Sequence, residues 1–290
     1  MNYQLIALAS AFIFSLVILI GKYITTHIVE DHNSFFFWTY TPVLPFVFLI
    51  PLRFGFQLTQ EMILPLLICT LLLTIGQYFF ARGIFTVDAS VISPLFQLQS
   101  GFILIFATFF LGEKHELLTY SFLLLMLLGT ILVSITDKTH LKGFLQIGVL
   151  YIIGMQIFHA GANVAVGFAL RYTTTWQVLF YTFVLNSIIS GIFILVKKVP
   201  ITFQPAKIKW LFARSFLLLI ATSLLYTAFE TNISVSSAIG LLSSPIVFSI
   251  SVILGLFFPS FLEKQSPKTY LIRAAGMLMI LYSAWNIMQY

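Results

Sequence analysis

The chain has 290 residues, of which 60% are hydrophobic and only 8% charged, with a mean hydropathy of +1.03. A soluble domain carries about a quarter of its residues charged, so this composition excludes one and describes an integral membrane protein. The formal charge of +6 would suggest nucleic acid in a soluble protein. Here the basic residues fall at the ends of apolar runs, where they set orientation and meet anionic lipid, and no nucleic-acid partner is expected.

Met1 to Gly21 has no basic leading region and no convincing cleavage site, so it reads as a first spanning helix and not as a removed signal. Nine acids, Glu30, Asp31, Glu61, Asp88, Glu113, Glu116, Asp137, Glu230 and Glu263, nearly all punctuate apolar runs of bilayer-spanning length. The pattern predicts ten helices at roughly 3–24, 34–52, 61–83, 89–111, 119–136, 143–168, 175–196, 209–231, 235–258 and 269–288. Cys69 is the single cysteine and lies inside a run, which excludes a disulfide framework. Only Lys197 to Lys209 forms a longer connection, so no soluble domain is inserted.

The stretch Tyr78–Lys114, YFFARGIFTVDASVISPLFQLQSGFILIFATFFLGEK, returns as Tyr226–Lys264, YTAFETNISVSSAIGLLSSPIVFSISVILGLFFPSFLEK. Each copy has a Tyr near the end of one run, a polar turn, a helix rich in small residues and a closing Glu-Lys. At an offset of 148, Tyr78 falls on Tyr226, Arg82 on Glu230 and Gln97 on Pro245. The chain therefore divides into two five-helix units, 1–139 and 140–290. Five is odd, so the second unit must enter the membrane from the opposite side. The expected fold is all-α, ten transmembrane helices as two inverted repeats, an arrangement that gives a transporter two pseudo-equivalent gates around a midplane site.

The sequence resembles the EamA-type, ten-helix members of the drug/metabolite transporter superfamily. Gly83–Ser90, GIFTVDAS, and Leu111–Lys114, LGEK, fit that family's first hairpin, and Pro245 supplies the mid-helix proline of the second. Gln97 stands where the first copy would carry that proline, Asp88 replaces the turn proline, and the second copy ends FLEK. The resemblance implies a secondary transporter in a cell membrane, a bacterial inner membrane by preference, acting as monomer or homodimer without cofactor.

Small or polar residues recur every four positions at Ala89, Ser93, Gln97 and Gly101, and at Ser236, Gly240 and Ser244, which lets helices approach closely or line a cavity. Pro42, Pro45, Pro94 and Pro245 break the helical hydrogen-bond ladder. His159 is the one histidine near a span centre; Gln156 and Asn163 share its face and make either an interhelical hydrogen-bond cluster or a substrate or proton site, since imidazole titrates near neutrality. Glu230 and Arg82 close the eighth and third runs and are candidates to guard opposite mouths or to couple protons; either could equally snorkel to the interface. Tyr78, Tyr226 and Tyr181 could stack on a cargo, whereas Trp176 fits the interfacial belt.

No phosphate-binding loop, no paired histidines with metal spacing at membrane depth and no Asp-rich prenyl-diphosphate motif occur in the sequence. The leading expectation is a secondary transporter of small organic metabolites, such as amino acids or amine-containing compounds, working by export or exchange with protons as a possible partner. An intramembrane enzyme acting on a lipid-linked substrate is the alternative. Loop charges number three on the terminal side (Arg53, Lys114, Arg171) against twelve on the other, Arg214 included. The positive-inside rule would put the termini outside, whereas the resemblance implies termini in the cytoplasm.

Overall fold

The computed structural model describes residues 2–86, 95–96, 98–112, 116–134, 147–201, 207–240, 242–243, 245–247, 249–250 and 266–287. Helix is the only regular structure among them, as it must be where backbone groups have no water to bond and must satisfy one another within each segment. Ten helical segments follow the apolar runs: α1 (Tyr3–His27), α2 (His32–Phe54), α3 (Gln60–Thr86), α4 (Leu98–Leu111), α5 (Leu117–Ser134), α6 (Ile147–Leu170), α7 (Thr175–Lys197), α8 (Ile208–Phe229), α9 (Ile233–Gly240) and α10 (Pro267–Ile287). Six of these, α1, α2, α3, α6, α7 and α8, are long and apolar enough to cross a membrane, and shorter apolar helices accompany them.

Side-chain chemistry sets the ends. The Asp31 carboxylate accepts from the backbone N–H groups of Asn33 and Ser34, both at 2.9 Å, and so starts α2. Gly55 ends α2 and Gly112 ends α4 at φ of 73° and 71°, a backbone that side-chain-bearing residues adopt only under strain. Pro42 and Pro45 act as expected. They divide α2 into His32–Trp38, a 3-10 turn at Thr41–Val43, and the short pieces Leu44–Val47 and Leu49–Phe54. The break leaves Thr39 and Tyr40 at the point where the helix is discontinuous.

The outer surface is apolar, with Leu52, Phe109, Leu117, Leu195 and Leu271 each more than two-thirds exposed, while Ser10, Thr39, Gln77, Gln156, Asn163, Asn186 and Arg214 are buried. That inversion of a soluble protein is what a hydrocarbon surround selects, because polar groups gain only by meeting one another inside. Helix α1 packs on α8 and α9; α6 packs on α3 and α4; α2 touches α8 as α7 touches α3; α5 and α10 pack on each other. Exchanging the first five helices for the second five, in order, leaves this pattern unchanged.

Glycines bring the tightest pairs together. Gly76 and Gly83 of α3 face His159 and Ile152 of α6, and Gly154 and Gly161 of α6 face Phe79 and Leu72 of α3. In the α5–α10 pair, a β-carbon on Gly129 would collide with the backbone carbonyl of Gly276. Lipid supplies no hydrophobic drive between helices, so such backbone approach is what holds them together.

Candidate binding cavity

A cavity of about 160 Å³ lies where eight of the ten helical segments converge. Its wall takes Phe14, Val17 and Ile18 from α1, Tyr40 from the break in α2, Gln77 and Phe80 from α3, and Gln99 and Ile103 from α4. The other half contributes Met155, His159 and Asn163 from α6, Thr182 and Phe183 from α7, Arg214, Thr222 and Tyr226 from α8, and Ser237 and Gly240 from α9. Among the described residues, neither α5 nor α10 supplies a wall residue. The lining is mostly aromatic and aliphatic, with a few polar groups that converge, the composition of a small-molecule site.

Thr39, fully buried, organises the polar wall. Its hydroxyl donates to the Phe35 carbonyl at 3.0 Å and accepts from Gln77 Nε2 at 3.2 Å and from Arg214 Nη1 at 3.3 Å. Arg214 is 4% exposed, with its guanidinium carbon 4.6 Å from the centre of the Phe35 ring. Gly21 of α1 leaves the space its Nε occupies. The Thr39 contact is the single hydrogen bond that Arg214 makes among the described residues, and Nε has no partner. Guanidinium carries five N–H donors, and no carboxylate lies among the described wall residues. Burying a charge away from water is costly unless it is paired and hydrogen-bonded.

Two further polar atoms in the wall are buried without a partner, His159 Nε2 and Ser237 Oγ. Gly76 makes the place for His159, since a β-carbon there would run into the imidazole. On the α7 side a chain of hydrogen bonds fixes the wall: Thr74 donates to Asn186 Oδ1 at 2.7 Å, and Asn186 Nδ2 donates to the Thr182 carbonyl at 2.7 Å.

The residues singled out from the sequence divide by location. His159, Asn163 and Tyr226 line the cavity. Gln156 is fully buried outside the wall, with Nε2 against Met155 Sδ at 3.6 Å and Oε1 unpartnered, so the expected three-residue stripe contributes two members to the site. Tyr78 packs against Phe36, Phe193 and His32, away from the cavity, and offers its face to Arg82 at 5.2 Å. Arg82 also donates to the Tyr151 hydroxyl at 3.0 Å. Tyr181 donates to the Gln57 carbonyl at 3.1 Å in the α2–α3 loop, and Trp176 stacks flat on Phe54.

Glu230 is exposed just past the end of α8, where it accepts from the Thr175 hydroxyl at 2.7 Å and the Thr175 N–H at 3.3 Å, capping α7. Of the small-residue stripes, Gly240 lines the cavity and Ser236 donates back to the Ala228 carbonyl at 3.0 Å. Ala89, Ser93, Pro94, Gln97 and Ser244 lie outside the described residues, as do Asp88, Glu113 and Glu263.

Sequence reading missed Gln77, Thr39 and above all Arg214. Arg214 was expected among the loop charges, but it lies well inside α8, and Arg273 is likewise buried in α10. Neither is a loop charge. Arg214 stands five residues beyond Lys209, about 7.5 Å further along the helix. That spacing was the available signal.

Fold and cavity together define a multi-span helical membrane protein with a site shared by the helices of both halves. Residues 1–135, the first five helices, match the model of the EamA-like transporter family, part of the drug/metabolite transporter superfamily. Solved structures also match in fold. One, a crystal structure of a protein, has a TM-score of 0.73 and 15% sequence identity, covering 98% of this chain and 95% of that chain. No curated protein matches the chain.

Proposed function

We propose that this protein is a secondary transporter that moves small organic metabolites of the amino-acid kind across a cell membrane, a bacterial inner membrane by preference, in export or exchange. The observation that carries this reading is the cavity itself, walled by α1–α4 and by α6–α9 in corresponding roles. Residues 1–139 and 140–290 act as two rigid units. Rocking one against the other about the glycine-lined α3–α6 contact and its counterpart α1–α8 opens the same cavity first to one side and then to the other. The α5–α10 pair, outside the wall, holds the units together while they move.

His159 is the coupling candidate, because its imidazole faces the cavity with Nε2 free to exchange a proton with cargo or water. The cap geometry at Glu230 fits a structural role. Purified protein in liposomes preloaded with an amino-acid mixture should drive counterflow of the labelled member it recognises, and His159→Gln should flatten the pH dependence of that flux. Vesicles that show no counterflow with any member, although the protein remains folded, contradict the transport reading.

A further inference from the structure

We infer that Arg214 is an anion-recognition residue and that the cavity takes a small organic carboxylate with an apolar body. The inference deepens the transport reading and rests on it only for what becomes of the bound molecule. Arg214 is nine-tenths buried, contributes to the cavity wall, and makes one hydrogen bond among the described residues, to a neutral hydroxyl. No acid stands among the described wall residues to neutralise it.

Two planar N–H pairs of a guanidinium match the two oxygens of a carboxylate, and in a dry site such charge-assisted bonds are the strong ones. Thr39 and Phe35 hold the guanidinium plane from α2, and Gly21 gives it room from α1, so the cation is positioned before cargo arrives. Phe14, Phe80, Phe183 and Tyr226 line the same cavity and supply apolar wall. A cavity near 150 Å³ holds a benzene-sized group, which sets the scale of the apolar body.

Benzoate, benzyl alcohol and benzylamine share that body and differ in charge. In detergent-solubilised full-length protein, benzoate should bind best by calorimetry and by thermal stabilisation, and benzylamine least. Arg214→Met should weaken benzoate about tenfold or more and erase its advantage over benzyl alcohol. Arg214→Lys should bind benzoate less tightly than wild type yet still prefer it to benzylamine, because the charge is kept while the fork geometry is lost. A residue that only tied α2 to α8 would change melting temperature without changing the order of the three ligands.

Benzylamine binding as tightly as benzoate, unchanged benzoate affinity in a folded Arg214→Met, or no binding of any of the three would overturn the inference. Benzoate that binds in an Arg214-dependent way but produces no flux in liposomes would leave the inference standing and remove the transport reading.

Discussion

Two arginines on corresponding helices, Arg82 near the end of α3 and Arg214 inside α8, have opposite environments. Arg82 is half-buried between two tyrosine faces, with its guanidinium carbon 5.2 Å from Tyr78 and 5.6 Å from Tyr151, and bonded to the Tyr151 hydroxyl. It lies at a helix end between two rings, and its Nε, like that of Arg214, is buried without a partner. Arg214 is deeper, touches one aromatic face and one hydroxyl, and opens on a cavity with no counter-charge among the described wall residues. A membrane arginine is informative according to what its surroundings leave undone. One completes a structure, and the other awaits a ligand.

Four substitutions test this contrast. Arg214→Met has the largest expected effect on function: loss of carboxylate binding worth about 1.5–3 kcal/mol, read by calorimetry, with melting temperature held or raised because an uncompensated buried charge is gone. A similar loss of stability in Arg214→Met and Arg82→Met would erase the distinction. Gly76→Ala comes next, since the added methyl meets the His159 ring. Overpacking of this kind costs about 1–3 kcal/mol, and displacement of the imidazole should reduce flux more than it reduces carboxylate binding.

Arg82→Met should lower the melting temperature through the lost Tyr151 bond and ring contacts, about 1–2 kcal/mol in all, with benzoate affinity unchanged. Weakened ligand binding there would return Arg82 to the site. The smallest effect belongs to Glu230→Gln, which keeps the cap geometry on Thr175 and loses only its charge. A shift of about 0.3–1 kcal/mol in stability is expected, with the pH dependence of transport intact; a flattened profile would show that Glu230 couples protons after all.

Much of the fold was legible because hydrocarbon allows little else: ten apolar runs of spanning length became ten helical segments, and Pro42 and Pro45 broke α2 where they stood. His159 and Asn163 were legible for a similar reason, as two polar side chains one turn apart at the centre of a run must share an interior face. Gln156, three residues from His159, fell behind the wall, because one helical face is wider than one cavity. Tyr78 and Tyr226 match at the repeat offset yet only Tyr226 reaches the cavity; sequence correspondence does not fix which way a ring turns when its neighbours differ. Arg214 was hidden by being a charge near other basic residues. Burial, and not residue type, separates it from Lys207 and Lys209.

The central claim is that one cavity, walled by both halves, is reached from either side of the membrane. Cys69 is the only cysteine and is buried, so Cys69→Ala gives a background in which Ser237→Cys places a single thiol in the wall. In sealed vesicles of known orientation, a membrane-impermeant thiol reagent should label that position from each side in turn, and bound benzoate should slow both reactions. Labelling from one side only, or from both sides with no protection by any cargo that the protein transports, would contradict the account.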